Sequence, residues 1–150
     1  MRGAGENAEV LMGLKQTGFG TGRIVTLGGH VEPGETPEQA AVREVEEEAA
    51  VTVREQDLVR AGSIEFVFPF RPEWDMSTVV FTARTWEGEP SPSEEIIPAW
   101  YPVDAVPYAQ MWPDSALWMP RVLAGEDFAA TVTLDEDNSS VAEIVFAALG

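Results

Sequence analysis

Residues 28–51 read GGHVEPGETPEQAAVREVEEEAAV, and this stretch decides the expected fold. It contains seven glutamates and a single basic residue. Thr36 suits a helix N-cap, Pro37 suits the first helical position, and Gln39 stands where a capping box requires it. Apolar residues at helical spacing follow these start signals. The stretch therefore predicts a helix that begins at Pro37 and ends near Ala50.

Three glutamates of this helix share one face, because Glu44, Glu47 and Glu48 stand at i, i+3 and i+4. Like charges at these spacings destabilise a helix by a few tenths of a kcal/mol per pair. A solvated acidic face is the plain alternative, but a hard divalent cation would also explain the cluster. Mg²⁺ prefers such oxygen ligands. With no Cys and one His in the chain, zinc is disfavoured.

Composition indicates one compact domain of 150 residues and excludes several classes of partner. Nine Lys and Arg against 26 Asp and Glu give a net charge of −17, which disfavours nucleic acid polymers and anionic membranes. The chain has neither a signal-peptide pattern at its start nor an apolar run long enough for a membrane helix. A cytoplasmic protein without a membrane partner is expected, and the absence of Cys fits a reducing compartment.

Further elements follow from local pattern and together predict a mixed α+β fold. A helix over 114–124 contains Pro120, which predicts a break or a kink. The segment 87–98 reads as a polar, Pro-rich loop. Strands are predicted over 10–14, 23–27, 51–53, 63–70, 78–85, 100–103, 129–134 and 141–147.

The spacing of the acidic stretch resembles the Nudix box, G-x5-E-x7-R-E-U-x-E-E-x-G-U, where U is a bulky aliphatic residue. Eight of its nine specified positions match. The exception is Ala50, where the box has a glycine that eases the exit from the helix. The matching positions are Gly29, Glu35, Arg43, Glu44, Val45, Glu47, Glu48 and Val51.

The resemblance implies a Nudix fold, an α/β (α+β) arrangement with a mixed sheet between helices and a loop–helix–loop at 28–51, in one domain over 1–150. It implies hydrolysis of a nucleoside diphosphate linked to another group, with Mg²⁺ or Mn²⁺. Glu44, Glu47 and Glu48 would bind the metal with the carbonyl of Gly28. One of these glutamates, or a nearby carboxylate, would act as the base. Glu35 and Arg43 would pair and hold the helix and loop in register.

The similarity extends to the oxidised-purine nucleoside triphosphate hydrolases of that family, through Leu14–Lys15, Gly18–Phe19–Gly20 and Met111–Ser115. It implies that Trp112 stacks on a purine while Asp114 reads the purine edge. Glu95 would be a further metal ligand. The remaining substrate-side positions implied by the resemblance are Lys15, Phe19, Val25, Leu27, Gly28, Gly29, His30 and Ser115.

Each of these positions has a simpler structural interpretation. Trp112 can be a core aromatic, and Asp114 can be only the N-cap of the following helix. Lys15 can be a surface charge. His30, a lone histidine in a loop, is more readily a hydrogen-bonding loop residue than a general base.

Departures from the subfamily concern the base pocket. Val25 stands where the subfamily has a base-reading asparagine, Ser115 replaces a second acidic residue, and Ile24 replaces a tryptophan. Loss of hydrogen-bonding partners weakens discrimination between bases. In addition, residues 1–9 are not strand-like, so the first strand of the family is expected to be shortened here.

The function expected from the sequence is a Mg²⁺-dependent pyrophosphohydrolase that converts a nucleoside triphosphate, such as an oxidised purine dNTP, to the monophosphate and pyrophosphate. Other Nudix substrates, namely nucleotide sugars and dinucleoside polyphosphates, are alternatives. A non-catalytic nucleotide-binding module is another. An acidic interaction protein would explain the charge but not the motif. A monomer or weak homodimer with a small nucleotide as its partner is expected.

Overall fold

The computed structural model describes residues 1–147, which form two sheets and two α-helices. This confirms the predicted mixed α+β class. The chain divides into two compact units, and each is described by itself. The first comprises residues 1–59 and 83–111, and the second comprises 60–82 and the chain from 112 onward.

The first unit contains a three-stranded antiparallel sheet and the acidic helix. Strand β1 (Glu9–Lys15) lies between β2 (Ile24–Val25) and β5 (Ile96–Pro102). Gly13 is required at the centre of this sheet, because a Cβ there would lie 2.3 Å from the side chain of Ile96. Residues ahead of β1 form a short 3₁₀ helix at Gly5–Asn7.

Helix α1 (Pro37–Ala49) begins with the predicted capping box. The Gln39 amide donates to the Thr36 hydroxyl at 3.1 Å, and the Gln39 side chain accepts from the Thr36 amide at 2.9 Å. The buried side of the helix end joins a small apolar core. This core consists of Ala49, Val51 and Val53, with Leu11, Leu27, Val45, Leu58, Ala83 and Trp86 packed against it.

The second unit contains a mixed four-stranded sheet in the order β4-β3-β6-β7 and the helix α2 (Ser115–Leu123). β3 and β6 are parallel, while β6 and β7 are antiparallel. The strands span Val59–Val67 (β3, whose first residue belongs to the first unit), Met76–Thr82 (β4), Phe128–Leu134 (β6) and Val141–Phe146 (β7).

Two local predictions were wrong, and a third was wrong in part. The segment 51–53 is not a strand, since only Thr52 forms an isolated bridge, with Glu87. The predicted loop over 87–98 ends early because β5 begins at Ile96. Pro120 does not break α2, which runs through it to Leu123. Among the helices of residues 1–147, none has the length and apolar character to span a membrane.

Candidate active site

Arg43 binds several acceptors around the start of α1. Its Nε and Nη2 donate to the two carboxylate oxygens of Glu35 at 2.7 and 3.0 Å, which is a bidentate pair. Its Nη2 also donates to the carbonyl of His30 at 3.1 Å. The hydrogen bond from Arg43 lowers the pKa of Glu35 to about 2, and the same bond raises the pKa of Arg43. This group of contacts fixes the loop 29–35 against the helix.

The same guanidinium reaches the acidic face of the helix. Its Nη1 donates to Glu44 at 2.8 Å and to Glu47 at 3.3 Å. Glu44 is half-buried, whereas Glu47 is exposed. The positive charge of Arg43 therefore offsets part of the like-charge repulsion between the two glutamates.

Glu48 is the buried carboxylate of the set, with a side chain only 4% exposed. The amide of Gly28 donates to its Oε1 at 2.7 Å, which links the end of the helix to the glycine loop. Burial raises the pKa of Glu48 to about 7, and the charges of Glu44 and Glu95 add to this. The Gly28 bond and the charge of Lys15 oppose the rise.

Gly29 is needed because Glu44 packs directly against its backbone. A Cβ at Gly29 would lie 2.5 Å from the Glu44 carboxylate, so a larger residue there would push this flexible carboxylate out of its observed position. The first glycine of the box therefore leaves room for a candidate metal ligand. Sequence reasoning assigned Gly29 to the substrate side and missed this close approach.

Lys15 and Glu95 lie together at the ends of β1 and β5. Their charged atoms are 3.9 Å apart, and the amide of Gln16 donates to the carbonyl of Glu95 at 2.7 Å. Both charges affect the pKa of Glu48. Lys15, Glu48 and Glu95 therefore share one electrostatic environment.

The donors of this region fit a hard divalent cation. Glu44, Glu47, Glu48 and Glu95 offer carboxylate oxygens, and a cation beside the buried Glu48 would favour its ionised form. As they stand, however, no three acidic or histidine side chains within residues 1–147 converge closely enough to hold a metal. The bonds from Arg43 to Glu44 and Glu47 and from Gly28 to Glu48 account for where these side chains lie.

The other predicted residues of the first unit differ in their surroundings. Phe19 is 72% exposed in the loop after β1. Val25 is half-buried at the end of β2. Leu27 packs against the apolar core, which favours a structural role. His30 is exposed, and its backbone carbonyl, rather than its imidazole, accepts the hydrogen bond from Arg43.

The second unit holds the predicted base-reading segment. Trp112 is half-buried, while Asp114 and Ser115 are buried, with 8% and 6% exposed. Asp114 occupies the N-cap position of α2, but its side chain does not cap the helix. Instead its Oδ2 accepts a hydrogen bond from the indole of Trp118 at 2.8 Å. Burial raises the pKa of Asp114, and the Trp118 bond opposes that rise.

Trp118 is the residue that sequence reasoning missed. A signal was present, because Asp114 and Trp118 are four residues apart at the start of a predicted helix, where side chains meet. The structure thus gathers Glu35, Arg43, Glu44, Glu47, Glu48, Gly28, Gly29, Lys15 and Glu95 in the first unit. It gathers Trp112, Asp114, Ser115 and Trp118 in the second.

Comparison with known proteins agrees with this description. The sequence profile of the NUDIX domain matches residues 3–122. An oxidized purine nucleoside triphosphate hydrolase from Danio rerio is 44% identical over 119 residues, which cover 79% of this chain and 74% of that protein. An oxidized purine nucleoside triphosphate hydrolase from Mus musculus is 41% identical over 119 residues, which again cover 79% of this chain and 74% of that protein.

Structural similarity is found with the MutT mutator protein from Bacillus halodurans. The TM-score is 0.80 at 23% identity, with 93% of this chain and 90% of that chain covered. This likeness concerns the fold. Taken with the profile match and the identity to the fish and mouse proteins, it establishes that the chain is a member of the Nudix family.

Proposed function

We propose that this chain is a divalent-cation-dependent pyrophosphohydrolase that converts an oxidised purine nucleoside triphosphate to the monophosphate and pyrophosphate. The observation that carries the reaction type is the placement of Glu48. Its carboxylate is buried, bonded to the Gly28 amide, and one helical turn from Glu44. The substrate class is supported by the descriptions of the fish and mouse relatives.

The chain's own residues would perform four tasks. Glu44, Glu47, Glu48 and Glu95, with the Gly28 carbonyl, would hold Mg²⁺, or Mn²⁺ in its place. The cation would neutralise phosphate charge and lower the pKa of bound water. A carboxylate of this group would accept the proton of the attacking water. Arg43 would keep the helix and loop aligned through Glu35 and the His30 carbonyl.

The reaction balances without any further reactant. The oxygen of water forms a bond to a phosphorus of the α–β anhydride, and the bond from that phosphorus to the bridging oxygen breaks. One proton passes to the carboxylate and then to solvent. The products are the nucleoside monophosphate and pyrophosphate. Trp112 and Asp114 would bind the purine, by stacking and by hydrogen bonding respectively.

A broader nucleotide range is a second candidate that two positions favour. Val25 presents an apolar side chain, and Ser115 a short hydroxyl, where the oxidised-purine hydrolases have polar or acidic residues that read the base. Fewer polar contacts reduce the discrimination between bases. A cytoplasmic location, a monomeric or weakly dimeric state, and a single catalytic domain over 1–150 stay predictions.

The test is pyrophosphate release with Mg²⁺ from 8-oxo-dGTP, 2-hydroxy-dATP, the normal dNTPs, ADP-ribose and diadenosine polyphosphates. Glu48→Gln should lower kcat for the preferred substrate by about two orders of magnitude or more, because a charged group at the reacting centre is lost. The matched control is Glu46→Gln, which changes an exposed glutamate of the same helix and should keep wild-type turnover. Equal turnover of the two variants would refute the site. Binding of nucleotide without hydrolysis would favour a non-catalytic module.

A further inference from the structure

The carboxylate of Asp114 is held in an unusual place for an acid at the start of a helix. An N-cap aspartate normally accepts from the amides of the first turn, where the helix dipole also favours it. Here its Oδ2 accepts from the Trp118 indole at 2.8 Å, in a buried bond. Burying a carboxylate costs free energy unless its hydrogen bonds are satisfied. The indole and the backbone amide of Asp114 itself therefore stabilise the carboxylate in this buried position, and the indole is the side-chain donor.

The Trp118 ring is itself held by a stacking contact with Phe128, and Phe128 in turn is closely packed. It stacks on Phe128 with ring centroids 6.0 Å apart and an angle of 15° between the planes. Phe128 lies over Gly62, which faces it in the parallel pairing of β3 and β6. A Cβ at Gly62 would lie 2.3 Å from the Phe128 ring. The indole N–H thus has one direction available, and that direction is toward Asp114.

Asp114 is the one charged residue of the segment 112–115, because its neighbours in that segment are Trp112, Pro113 and Ser115. Its backbone is a tight turn in which the Ser115 amide donates to the Trp112 carbonyl at 3.0 Å. Any ionic or strong acceptor contact that this segment makes with a base must therefore come from Asp114. The orientation of one carboxylate would decide the recognition.

We propose that Trp118 is a positioning residue for base selectivity: it occupies Oδ2 of Asp114, so that Oδ1 is the oxygen presented to an N–H donor on the hydrogen-bonding edge of a purine. This inference rests on the proposed function, because it assumes that Asp114 contacts the base. The ligand class is a purine nucleotide with N–H donors on that edge, such as 8-oxo-guanine. An unsubstituted purine has no such donor.

Trp118→Phe tests the inference because it removes the N–H and keeps an aromatic ring on Phe128. The substrates are 8-oxo-dGTP and the triphosphate of 2′-deoxynebularine, whose purine is unsubstituted. The variant should lose about tenfold in kcat/KM for 8-oxo-dGTP, mostly through KM, as expected for a hydrogen bond to a charged group. The kcat/KM for the triphosphate of 2′-deoxynebularine should change little. Trp74→Phe, at a tryptophan 36% exposed elsewhere in the second unit, is the matched control and should behave as wild type.

A binding measurement separates this inference from the proposed function. Titration calorimetry without divalent cation compares 8-oxo-dGMP with 2′-deoxynebularine monophosphate. A preference for 8-oxo-dGMP that Trp118→Phe abolishes supports the inference even if no triphosphate is hydrolysed, and in that case only the proposed function fails. A wild-type protein without the preference, or a Trp118→Phe variant that keeps it, overturns the inference. An equal loss of kcat on both triphosphates would also overturn it, because that is the result of a purely structural role.

Asp114→Asn is a second variant in case Trp118→Phe does not fold. The asparagine carbonyl can still accept from Trp118, but the side chain then presents an amide donor to the base. The preference for 8-oxo-dGMP should disappear while the variant stays folded, as a cooperative thermal transition would show. A retained preference contradicts the inference.

Discussion

Single residues explain why the candidate site has the geometry it has. Gly29 leaves room for the Glu44 carboxylate, and the Gly28 amide holds Glu48. Arg43 connects the helix to the loop through Glu35. These contacts are short and specific, so small changes at them should affect the site more than the fold.

Gly29→Ala should damage activity with little loss of stability. The new methyl group would displace the Glu44 carboxylate, whose end is flexible, and misplacement of a site group by about 1 Å can cost roughly a hundredfold in rate. We expect kcat/KM to fall by about that factor while the melting temperature changes little. The measurements are steady-state kinetics and thermal unfolding.

Gly34→Ala is the control for this prediction, and it should show the opposite pattern. Gly34 has φ of +84° with open space around its Cα. An alanine there costs about 1–2 kcal/mol of stability from backbone strain, but its methyl group would not approach the Glu44 carboxylate, since nothing beyond the chain neighbours lies within 4 Å. Retained activity in Gly29→Ala would mean that Glu44 does not need its observed position.

The raised pKa of Asp114 predicts that the stability of the protein depends on pH. Burial raises its pKa in the folded protein, whereas in the unfolded chain the pKa is about 4. Between these two values the folded state binds more protons than the unfolded state, so stability falls as pH rises through that window. Asp114→Asn cannot ionise. Its stability relative to wild type should therefore rise with pH from about 4 and then level off.

Urea unfolding of both proteins in steps from about pH 4 to pH 7 measures this difference. A difference that stays constant, or that falls as pH rises, would show that Asp114 is not buried as an acid of raised pKa.

At the scale of elements, both ends of α1 carry information. The start is a capping box that could be predicted from sequence, and it is present. The end is less favourable, because Ala50 adopts a left-handed conformation with φ 59° and ψ 28°. Glycine adopts this conformation without steric cost, and the Nudix box has glycine there. Ala50 is therefore a strained residue at the end of α1.

Ala50→Gly should stabilise the protein by about 1 kcal/mol. Removing the strain of a left-handed alanine favours the folded state, and the greater conformational entropy of glycine in the unfolded chain offsets part of this gain. For a chain of this size that corresponds to roughly 2–4 °C in melting temperature. Ala41→Gly, within the helix, is the control and should destabilise by roughly 0.5–1 kcal/mol. If both substitutions destabilise, then the left-handed conformation of Ala50 is not strained.

Sequence reasoning predicted the elements that depend on local pattern. The helix of the acidic stretch, strand β1 and the β6–β7 pair carry capping, periodicity and turn signals. The parallel pairing of β3 with β6 depends on residues more than sixty positions apart, and nothing local encodes it. The segment 51–53 has β-forming residues, but Val51 and Val53 pack into the core instead. Tertiary packing overrides propensity there.

The same distinction applies to the site. The spacing of Glu44, Glu47 and Glu48 could be predicted because it is helical. The Trp118 bond to Asp114, the steric need for Gly29 and the His30 carbonyl as an acceptor depend on three-dimensional packing. The local sequence therefore indicated the chemistry of the site, and the structure added the contacts that orient it.

At the scale of the whole molecule, the net charge of −17 dominates. Self-repulsion of this size destabilises a folded state, and salt screens it over a Debye length of about 10 Å at 0.1 M.

Stability should therefore increase with ionic strength. We expect the melting temperature to rise between about 0.01 M and 0.3 M NaCl, because unfavourable charge interactions are screened. Thermal unfolding at several NaCl concentrations in this range measures the change in melting temperature. A melting temperature that decreases with salt would show that favourable ion pairs, such as those of Arg43, outweigh the general repulsion.

The position of Arg43 has a consequence for how the protein responds to its surroundings. Since the guanidinium already serves as an internal counterion for Glu44 and Glu47, part of the charge on this face of α1 is neutralised before any external cation binds. A bound cation would add stability through its own binding free energy, on top of a helix that is already partly neutralised.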